Sequence, residues 1–368
     1  GVYWLPALDA EGDIASLDPA LWHECVRRRV KALYATMRAL YDGSPFLVAA
    51  TRLGGCHGYD AAGAINPLGG AVTGFAKSYR KERPEALVKA VDCAADATAA
   101  SVAEQLLEET LQDPGCVEIG RVGALRFGVA FVERALPALD ADGQIAKAGP
   151  GGGMKLGRDA VFVITGAAGS IVSAITADLA AASGGRFHLL DLTPAPRRDD
   201  PDLAAFRADR EALKATLAQR LKAAGERPTP VMIERELARL ERLDAALLAI
   251  QSVEAAGGQA HYHAVDLRDA AAVAQVMDEV RATSGRIDVL LHAAGLEISR
   301  NLPEKEAREF DLVFDVKSDG WFNLMKGAGE LPIGAVVLFS SVAGRFGNPG
   351  QTDYAAANDL LCKFASHL

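Results

Sequence analysis

The chain has 368 residues, and about 150 residues per domain predicts two domains. Half of the chain is hydrophobic and 24% is charged, a composition that excludes intrinsic disorder and fibrous repeats. The formal net charge of −9 disfavours nucleic acid and anionic membranes as partners, so we expect a small molecule or another protein.

The cysteines and the apolar runs bear on the compartment. Five cysteines are scattered without a CxxC pair or histidines at metal-binding spacing, so neither a disulfide framework nor a metal site is expected. No apolar run is long enough to span a membrane, and Gly1 to Trp4 do not begin an export signal. We therefore expect a cytoplasmic protein.

In the first part of the chain, short apolar runs alternate with amphipathic stretches, as in strands interleaved with helices over a parallel sheet. Cys56 and His57 fall in a Gly-rich turn that we interpret as a loop without chemistry. We predict a small α/β domain over residues 1–139 without a phosphate loop. Its predicted strands are Val2–Leu8, Phe46–Thr51, Leu87–Val91 and Val117–Gly120, its helices are Pro19–Tyr41, Gly69–Arg80 and Ala99–Gln112, and Ala124–Ala135 is a closing strand or hairpin.

Glycine and proline are dense at 140–157, which predicts a linker there and a second domain over 158–368. In that domain the alternation of apolar runs and helical patterns is sharper, and it predicts a doubly wound parallel sheet. The strand candidates are Ala160–Thr165, Phe187–Asp191, His261–Asp266, Ile287–His292 and Ala335–Ser341.

A segment rich in Ala, Leu, Arg and Glu, residues 199–256, interrupts the second domain between its second and third strands. Gly225–Pro230 divides this helical insertion, so we predict two helices. A solvated amphipathic hairpin packed on its own domain fits the pattern, while a docking hairpin, a dimerisation arm and a lid are alternatives.

Thr165–Val172 leads from a strand through glycines into an Ala-rich helix. Such a turn presents backbone N–H groups and the helix dipole to a pyrophosphate. Val172 replaces the third glycine of the dinucleotide fingerprint, so the turn by itself also fits an ordinary strand–turn–helix. The residues predicted to bind a cofactor here are Thr165, Gly166, Ala168, Gly169, Ser170 and Ile171.

Asp191 ends the next predicted strand, twenty-two residues after Gly169. A carboxylate there accepts hydrogen bonds from ribose hydroxyls and repels a 2′-phosphate, which favours NADH over NADPH. A helix or turn cap is the alternative role. Two further strand ends lie at the ligand-binding edge of such a sheet and add Asp266, Leu267, His292, Ala293, Ala294 and Gly295 to the predicted cofactor site.

Ser341 closes a predicted strand and Tyr354 opens a helix thirteen residues later, so both hydroxyls can converge on one carbonyl oxygen. Asn358 lies one turn after Tyr354 on the same helix face, and Lys317 precedes Ser341 by twenty-four residues. Tyrosine has a pKa of about 10, so a nearby ammonium that stabilises the phenolate helps it to act as an acid.

Phe339–Asn358 resembles over its whole length the Ser and Tyr-Ala-Ala-Ala-Asn block of ketoreductase domains from type I polyketide and polyunsaturated fatty acid synthases, which are short-chain dehydrogenases/reductases. The resemblance implies that Lys317, Ser341, Tyr354 and Asn358 are catalytic, with lysine and asparagine exchanged relative to other short-chain reductases. It also implies that His292 supports the backbone near the cofactor.

The same resemblance implies an α/β protein of two Rossmann-like subdomains. Residues 1–139 would be the noncatalytic structural subdomain, because Thr51-Arg52, Gly69–Pro84 and Val91-Asp92 resemble it. Residues 158–368 would be the catalytic subdomain, a doubly wound parallel sheet that binds the dinucleotide and carries the insertion. A full reductase adds a helix pair and two strands after this point, so the catalytic subdomain is expected to be incomplete at its C-terminus.

The implied reaction is NAD(P)H-dependent reduction of a 3-oxoacyl thioester on an acyl carrier protein to the 3-hydroxyacyl thioester, beside neighbouring synthase domains. Ser341 and Tyr354 would polarise the ketone oxygen, and Tyr354 would deliver the proton. A free-standing NAD-dependent alcohol or sugar dehydrogenase and a noncatalytic scaffold domain of a synthase are the alternatives.

Overall fold

The computed structural model describes residues 1–12, 14–43, 45–133, 154 and 156–368. Most of the predicted linker, 140–157, lies outside these residues. None of the described helices is long and apolar enough to cross a bilayer.

The strands and helices alternate along the chain as predicted. The strands are β1 (Val2–Trp4), β2 (Leu47–Thr51), β3 (Val88–Cys93), β4 (Glu118–Val122), β5 (Leu125–Gly128), β6 (Val161–Thr165), β7 (Arg186–Asp191), β8 (Gln259–Ala264), β9 (Ile287–His292) and β10 (Ile333–Leu338). The α-helices are α1 (Pro19–Val26), α2 (Ala32–Ala39), α3 (Gly69–Glu82), α4 (Ala99–Leu111), α5 (Ser170–Ser183), α6 (Pro201–Ala208), α7 (Arg210–Ala223), α8 (Pro230–Ala255), α9 (Ala270–Ser284), α10 (Ala307–Ala328), α11 (Val342–Phe346) and α12 (Thr352–His367).

The chain divides into two compact units. The first contains the described residues of Gly1–Leu136 with Gly295–Lys326 and Leu338–Leu368. Its sheet has the order β1-β2-β3-β4-β5, parallel except for β5, which forms an antiparallel hairpin with β4. Strands β2 and β3 are buried along their full length, as expected where a parallel sheet is covered on both faces.

Two predicted elements of the first unit are shorter than expected. The first strand ends at Trp4, because Pro6 lacks an N–H for a ladder and begins a 3₁₀ turn. The helix predicted over Pro19–Tyr41 contains a π turn at Arg27–Lys31 that separates α1 from α2. At this widened turn Arg29 is buried and donates a hydrogen bond to the Asp9 carbonyl.

Within the first unit, α3 packs directly against α12. A Cβ on Gly70 of α3 would lie 2.5 Å from Lys363 Cγ, so the two helices approach more closely than a side chain permits. Lys77 Nζ lies 2.9 Å from Asp359 Oδ2, and both side chains are buried. The N-terminal part of the chain therefore supports the helix that carries Tyr354 and Asn358.

The loop at Cys56 and His57 is organised by a carboxylate. Asp92 accepts hydrogen bonds from the backbone N–H groups of Leu53, Gly55 and His57 at 2.6–2.8 Å. His57 is buried with φ +53, so the turn has a clear structural role.

The second unit contains the described residues of Pro137–Ala294 with Gly327–Val337. Its sheet has the order β10-β9-β6-β7-β8, with β6 parallel to both β7 and β9. The strand order reverses at β6, which is the doubly wound arrangement and places the ligand edge at the carboxyl ends of these strands.

The helical insertion forms three helices, so the prediction of two is wrong. Gly225 lies in the predicted break between α7 and α8. A further break lies at Asp209, whose carboxylate accepts from the N–H groups of Glu211 and Ala212 and so caps α7. The three helices share a leucine core, which consists of Leu203, Leu213, Leu217, Leu237, Leu240, Leu243 and Leu247.

Candidate active site

The predicted phosphate-binding turn follows β6 in the second unit. Gly166 has φ +73, and a Cβ there would lie 2.9 Å from the Ala294 nitrogen, so the turn requires glycine. Gly169 is the N-cap of α5 and has no side chain to occupy the first amides of the helix. Ser170 and Ile171 are exposed there. This helix start therefore suits an anion.

Asp191 ties the turn to the end of β7. Its Oδ2 accepts a hydrogen bond from the Ala168 nitrogen at 2.9 Å, and its Oδ1 accepts one from the Thr193 nitrogen at 2.8 Å. Each carboxylate oxygen has a second lone pair, and the side chain is partly exposed. Asp191 thus caps the turn and keeps acceptor capacity for a ribose hydroxyl.

Thr165 joins β6 to the end of β9. Its Oγ1 lies 3.1 and 3.2 Å from the nitrogens of Ala293 and Ala294 and 2.9 Å from His292 Nδ1. Because the two amides donate to Oγ1, the hydroxyl hydrogen points to Nδ1. Thr165 and His292 are fully buried, so this histidine holds the strand end in place.

Asp266 lies beyond β8, which ends at Ala264, so its predicted position within a strand is wrong. Its carboxylate accepts from the Arg268 nitrogen at 3.0 Å and from the Arg268 guanidinium at 2.6 Å, a local turn that ends the strand. The bond to this guanidinium lowers the pKa of Asp266. Leu267 beside it is buried.

Lys317 lies in α10, in the first unit. Its Nζ donates a hydrogen bond of 2.8 Å to the carbonyl of Phe339, and burial lowers its pKa to about 8. Gly295 leaves room for the lysine, since a Cβ there would lie 2.7 Å from Lys317 Cε. The amine is therefore held beside the segment that leads to Ser341.

Ser341 lies beyond β10, which ends at Leu338, so the predicted strand boundary is wrong. Ser341 is the N-cap of α11, and its Oγ accepts a hydrogen bond of 3.1 Å from the Ala343 nitrogen. The capping geometry ends the strand early. A hydroxyl that accepts in this way still has its own proton to donate, so Ser341 can bind a carbonyl oxygen.

Tyr354 and Asn358 lie one turn apart on α12. Asn358 Nδ2 donates to the Tyr354 carbonyl at 2.8 Å, and the Asn358 carbonyl accepts from Ser340 Oγ at 2.9 Å. Asn358 is fully buried, and its Oδ1 has no hydrogen-bond partner in the part of the chain that the structure describes. A buried acceptor of this kind suits a bound water.

The sequence did not reveal an ion pair next to Tyr354. Lys305 Nζ lies 2.8 and 2.7 Å from the two carboxylate oxygens of Asp353, and both side chains are fully buried. Asp353 Oδ1 also accepts from the Tyr354 nitrogen at 2.8 Å. Burial raises the pKa of Asp353 to about 6. Lys305 lies in a polar stretch that resembles a surface loop, so no local signal points to this pairing.

The KR domain family model matches residues 160–368, more than half of the chain. The chain therefore belongs to the family of ketoreductase domains within the short-chain dehydrogenase/reductase superfamily, as the sequence block predicted.

Two named relatives illustrate the similarity. One of the subunits of the polyunsaturated fatty acid synthase from a Thraustochytrium species is 30% identical over 343 residues, which are 89% of this chain and 12% of that protein. The 3-oxoacyl-[acyl-carrier-protein] reductase FabG of Thermotoga maritima is 32% identical over 112 residues, which are 29% of this chain and 46% of that protein. The chain thus spans less than half the length of either relative.

Solved structures share the fold. A ketoreductase domain from the bacillaene assembly line aligns with a TM-score of 0.67 at 16% identity and covers 99% of this chain and 75% of that one. The ketoreductase of the first phoslactomycin module in a Streptomyces species gives a TM-score of 0.65 at 20% identity, over 92% of this chain and 64% of that one. The predicted fold class, two Rossmann-like α/β parts, is confirmed.

Proposed function

We propose that the chain reduces a 3-oxoacyl thioester on an acyl carrier protein to the 3-hydroxyacyl thioester with NAD(P)H, as the ketoreductase part of a type I synthase. One observation carries the proposal: Lys317 and Asn358 bond to Phe339 and Ser340, the two residues that precede Ser341. The lysine, the serine and the tyrosine-bearing helix are thereby fixed to one short segment.

The second unit fits a dinucleotide, because a Cβ at Gly166 would fill the cradle of the turn and α5 begins directly after it. We propose that Thr165–Ile171 holds the pyrophosphate, that Asp191 binds the adenosine ribose, and that the ends of β8 and β9, with Gly295, border the remainder. The bound reduced nicotinamide supplies the hydride to the ketone carbon.

The residues of the first unit manage the proton. Ser341 and Tyr354 donate hydrogen bonds to the ketone oxygen, and Tyr354 transfers its proton to the alkoxide as the carbon accepts the hydride. The Lys317 ammonium stabilises the tyrosine phenolate that remains. The free Oδ1 of Asn358 orders the water through which Tyr354 regains a proton.

The names of the relatives support the partners. One belongs to a fatty acid synthase, several are polyketide synthases, and one is a reductase of acyl-carrier-protein thioesters. An acyl carrier protein that delivers the thioester and neighbouring synthase domains are therefore the proposed partners.

We propose NADH as the preferred cofactor, because the Asp191 carboxylate repels a 2′-phosphate. A cavity of about 380 Å³ after β7 favours the second possibility, NADPH. It is lined by Leu192–Pro194 and by three arginines of α8, which are Arg235, Arg239 and Arg242. A guanidinium binds phosphate in a bidentate manner, so these side chains would suit a 2′-phosphate.

Calorimetric titration with NADH and NADPH distinguishes the two cofactors. A preference for NADH that Asp191→Ser relaxes supports the assignment to Asp191. Tighter binding of NADPH that the double variant Arg235→Gln/Arg242→Gln abolishes supports the arginine cavity. Arg227→Gln, an exposed arginine of the same insertion, is the matched control and should change neither affinity.

Turnover of an acyl thioester surrogate tests the reaction. Tyr354→Phe should lower kcat by about 10²- to 10⁴-fold, because it removes the general acid, and should leave nucleotide affinity unchanged. Tyr3→Phe removes an exposed hydroxyl bonded to Thr110 and should retain full turnover. Faster turnover of free ketones than of thioesters would favour a free-standing dehydrogenase, and absence of nucleotide binding would favour a scaffold.

A further inference from the structure

Three histidines gather on one face of β7 and β8, within the second unit. His188 pairs with His261 in the parallel register, and His263 follows His261 by two residues, so the three rings project from the same side of the sheet. The ring centroid of His188 lies 4.9 Å from that of His261 and 5.5 Å from that of His263. The cluster begins three residues before Asp191 and is separate from the proposed reductase residues.

Glu279 of α9 brings a carboxylate to these rings. Its Oε1 lies 3.6 Å from His261 Nδ1, and its Oε2 lies 3.9 Å from His263 Nδ1. One ligand atom each from His188, His263 and Glu279 lie within 4.8 Å of one another. Helix and sheet thus present a mixed set of imidazole nitrogens and carboxylate oxygens.

The separation of two ring nitrogens matches that of two ligands on one ion. His188 Nδ1 lies 3.2 Å from His263 Nε2. Zinc–nitrogen bonds of about 2.0–2.1 Å place two tetrahedral ligands about 3.3 Å apart. Glu279 is half-exposed on a flexible side chain, so a small rotation brings its carboxylate to bonding distance.

The protonation state of the histidines also favours a cation. Burial lowers the pKa of His188 to about 3, with a further contribution from the other two rings, and burial lowers the pKa of His263. Both imidazoles are therefore neutral at pH 7 and offer a lone pair, as metal ligands must. His188 Nε2 is buried and has no hydrogen-bond partner within the described ranges, so hydrogen bonding does not account for this side chain.

From this juxtaposition we propose that His188, His263 and Glu279 bind one divalent transition-metal ion, with His261 as an additional ligand. Imidazole nitrogen together with carboxylate oxygen is a ligand set that suits Zn²⁺. The ion would join the edge strand β8 to β7 and α9, so its role is structural and independent of the proposed reduction. This site goes beyond the sequence analysis, which predicted no metal.

Calorimetric titration of the chelator-treated 368-residue chain with ZnCl₂ tests the site. We expect one ion per chain, with affinity at least tenfold lower in His263→Gln and in Glu279→Gln. Glu279→His replaces one ligand by another and should restore binding. His23→Gln and Glu226→Gln change exposed residues elsewhere and are the matched controls, while circular dichroism verifies the fold of each variant.

Titration with CoCl₂ identifies the ligands. Nitrogen and oxygen ligands give visible bands of tetrahedral Co²⁺ without the intense near-ultraviolet charge transfer of a thiolate, which separates this site from the five free cysteines. Visible bands that His263→Gln abolishes support the proposal. Absence of Zn²⁺ binding, an affinity equal in wild type and Glu279→Gln, or a thiolate spectrum would overturn it, whatever the outcome for the reductase.

Discussion

The carbonyl of Ala355 lies directly against Gly74: a Cβ on this glycine would approach the Ala355 oxygen to 2.3 Å. Ala355 follows Tyr354 in α12, whereas Gly74 lies in α3, far earlier in the chain. The position of the tyrosine-bearing turn therefore depends on a glycine in the part of the chain that contains no predicted catalytic residue.

Gly74→Ala is expected to destabilise the protein. Helix propensity alone predicts a gain of about 1 kcal/mol for this change, but the close contact with Ala355 predicts an overpacking loss of about 1–3 kcal/mol. Urea unfolding gives the sign, and kcat should fall as α12 moves. Gly43→Ala is the matched control, because no atom lies within 4 Å of its added Cβ. A more stable Gly74→Ala variant would contradict the packing argument.

Lys305→Met is expected to lower the free energy of unfolding by about 3–5 kcal/mol, because it leaves the Asp353 carboxylate buried without its cation. Burial already raises the pKa of Asp353 above its unfolded value, so the loss grows as pH rises from about 4 to the folded pKa. Denaturant unfolding at several pH values measures it.

The double variant Lys305→Met/Asp353→Leu should recover most of this stability, since neither charge remains. Asp199→Asn breaks the exposed pair with Arg197 and should cause no measurable change. Equal stability of Lys305→Met and the wild type would show that the buried pair does not hold the start of α12.

Local patterns account for what the sequence predicted. The alternation of apolar runs and helical stretches gives both sheets, because strand and helix periods depend on near neighbours. The turn at Gly166 and the block from Phe339 to Asn358 are continuous segments, so their residues are recognisable without the fold. The strand ends at Asp266 and Ser341 were misplaced because a capping side chain, rather than hydropathy, ends those strands.

Contacts between distant segments account for the rest. Lys305 and Asp353 are 48 residues apart, and no local feature marks their lysine or carboxylate as buried. The cluster of His188 and Glu279 forms because β7 and α9 pack together, and its spacing along the chain matches no metal motif. Gly70 and Gly74 are the exception, since their four-residue spacing on α3 already indicates a close helix contact.

Gly166→Ala is expected to weaken nucleotide binding by at least tenfold. The alanine Cβ would meet the Ala294 nitrogen at 2.9 Å and strain a backbone at φ +73, so the turn must move away from the cofactor position. Gly285→Ala shares a positive φ, +67, but has open space around its Cβ. It should cost about 1 kcal/mol of stability and retain nucleotide affinity. Calorimetry compares the variants, and equal losses in both would assign the effect to general destabilisation.

The Lys317 amine should give the activity a basic limb. Burial places its pKa at about 8, so the ammonium that stabilises the Tyr354 phenolate disappears, and kcat falls, as pH rises through that value. Lys317→Met should have low kcat and lack this limb, whereas Lys81→Met, at an exposed lysine, should keep the wild-type profile.

Stability should respond to pH in the opposite direction. The folded pKa of Lys317 lies below the unfolded value of about 10.4, so the unfolded chain binds more protons between pH 8 and 10. The contribution of Lys317 to the free energy of unfolding therefore becomes more favourable by about 3 kcal/mol across this window, at the same pH at which kcat declines. Denaturant unfolding of wild type and Lys317→Met at pH 7 and pH 10 isolates this contribution. A difference between them that does not change with pH would show that the amine is not buried in its charged form.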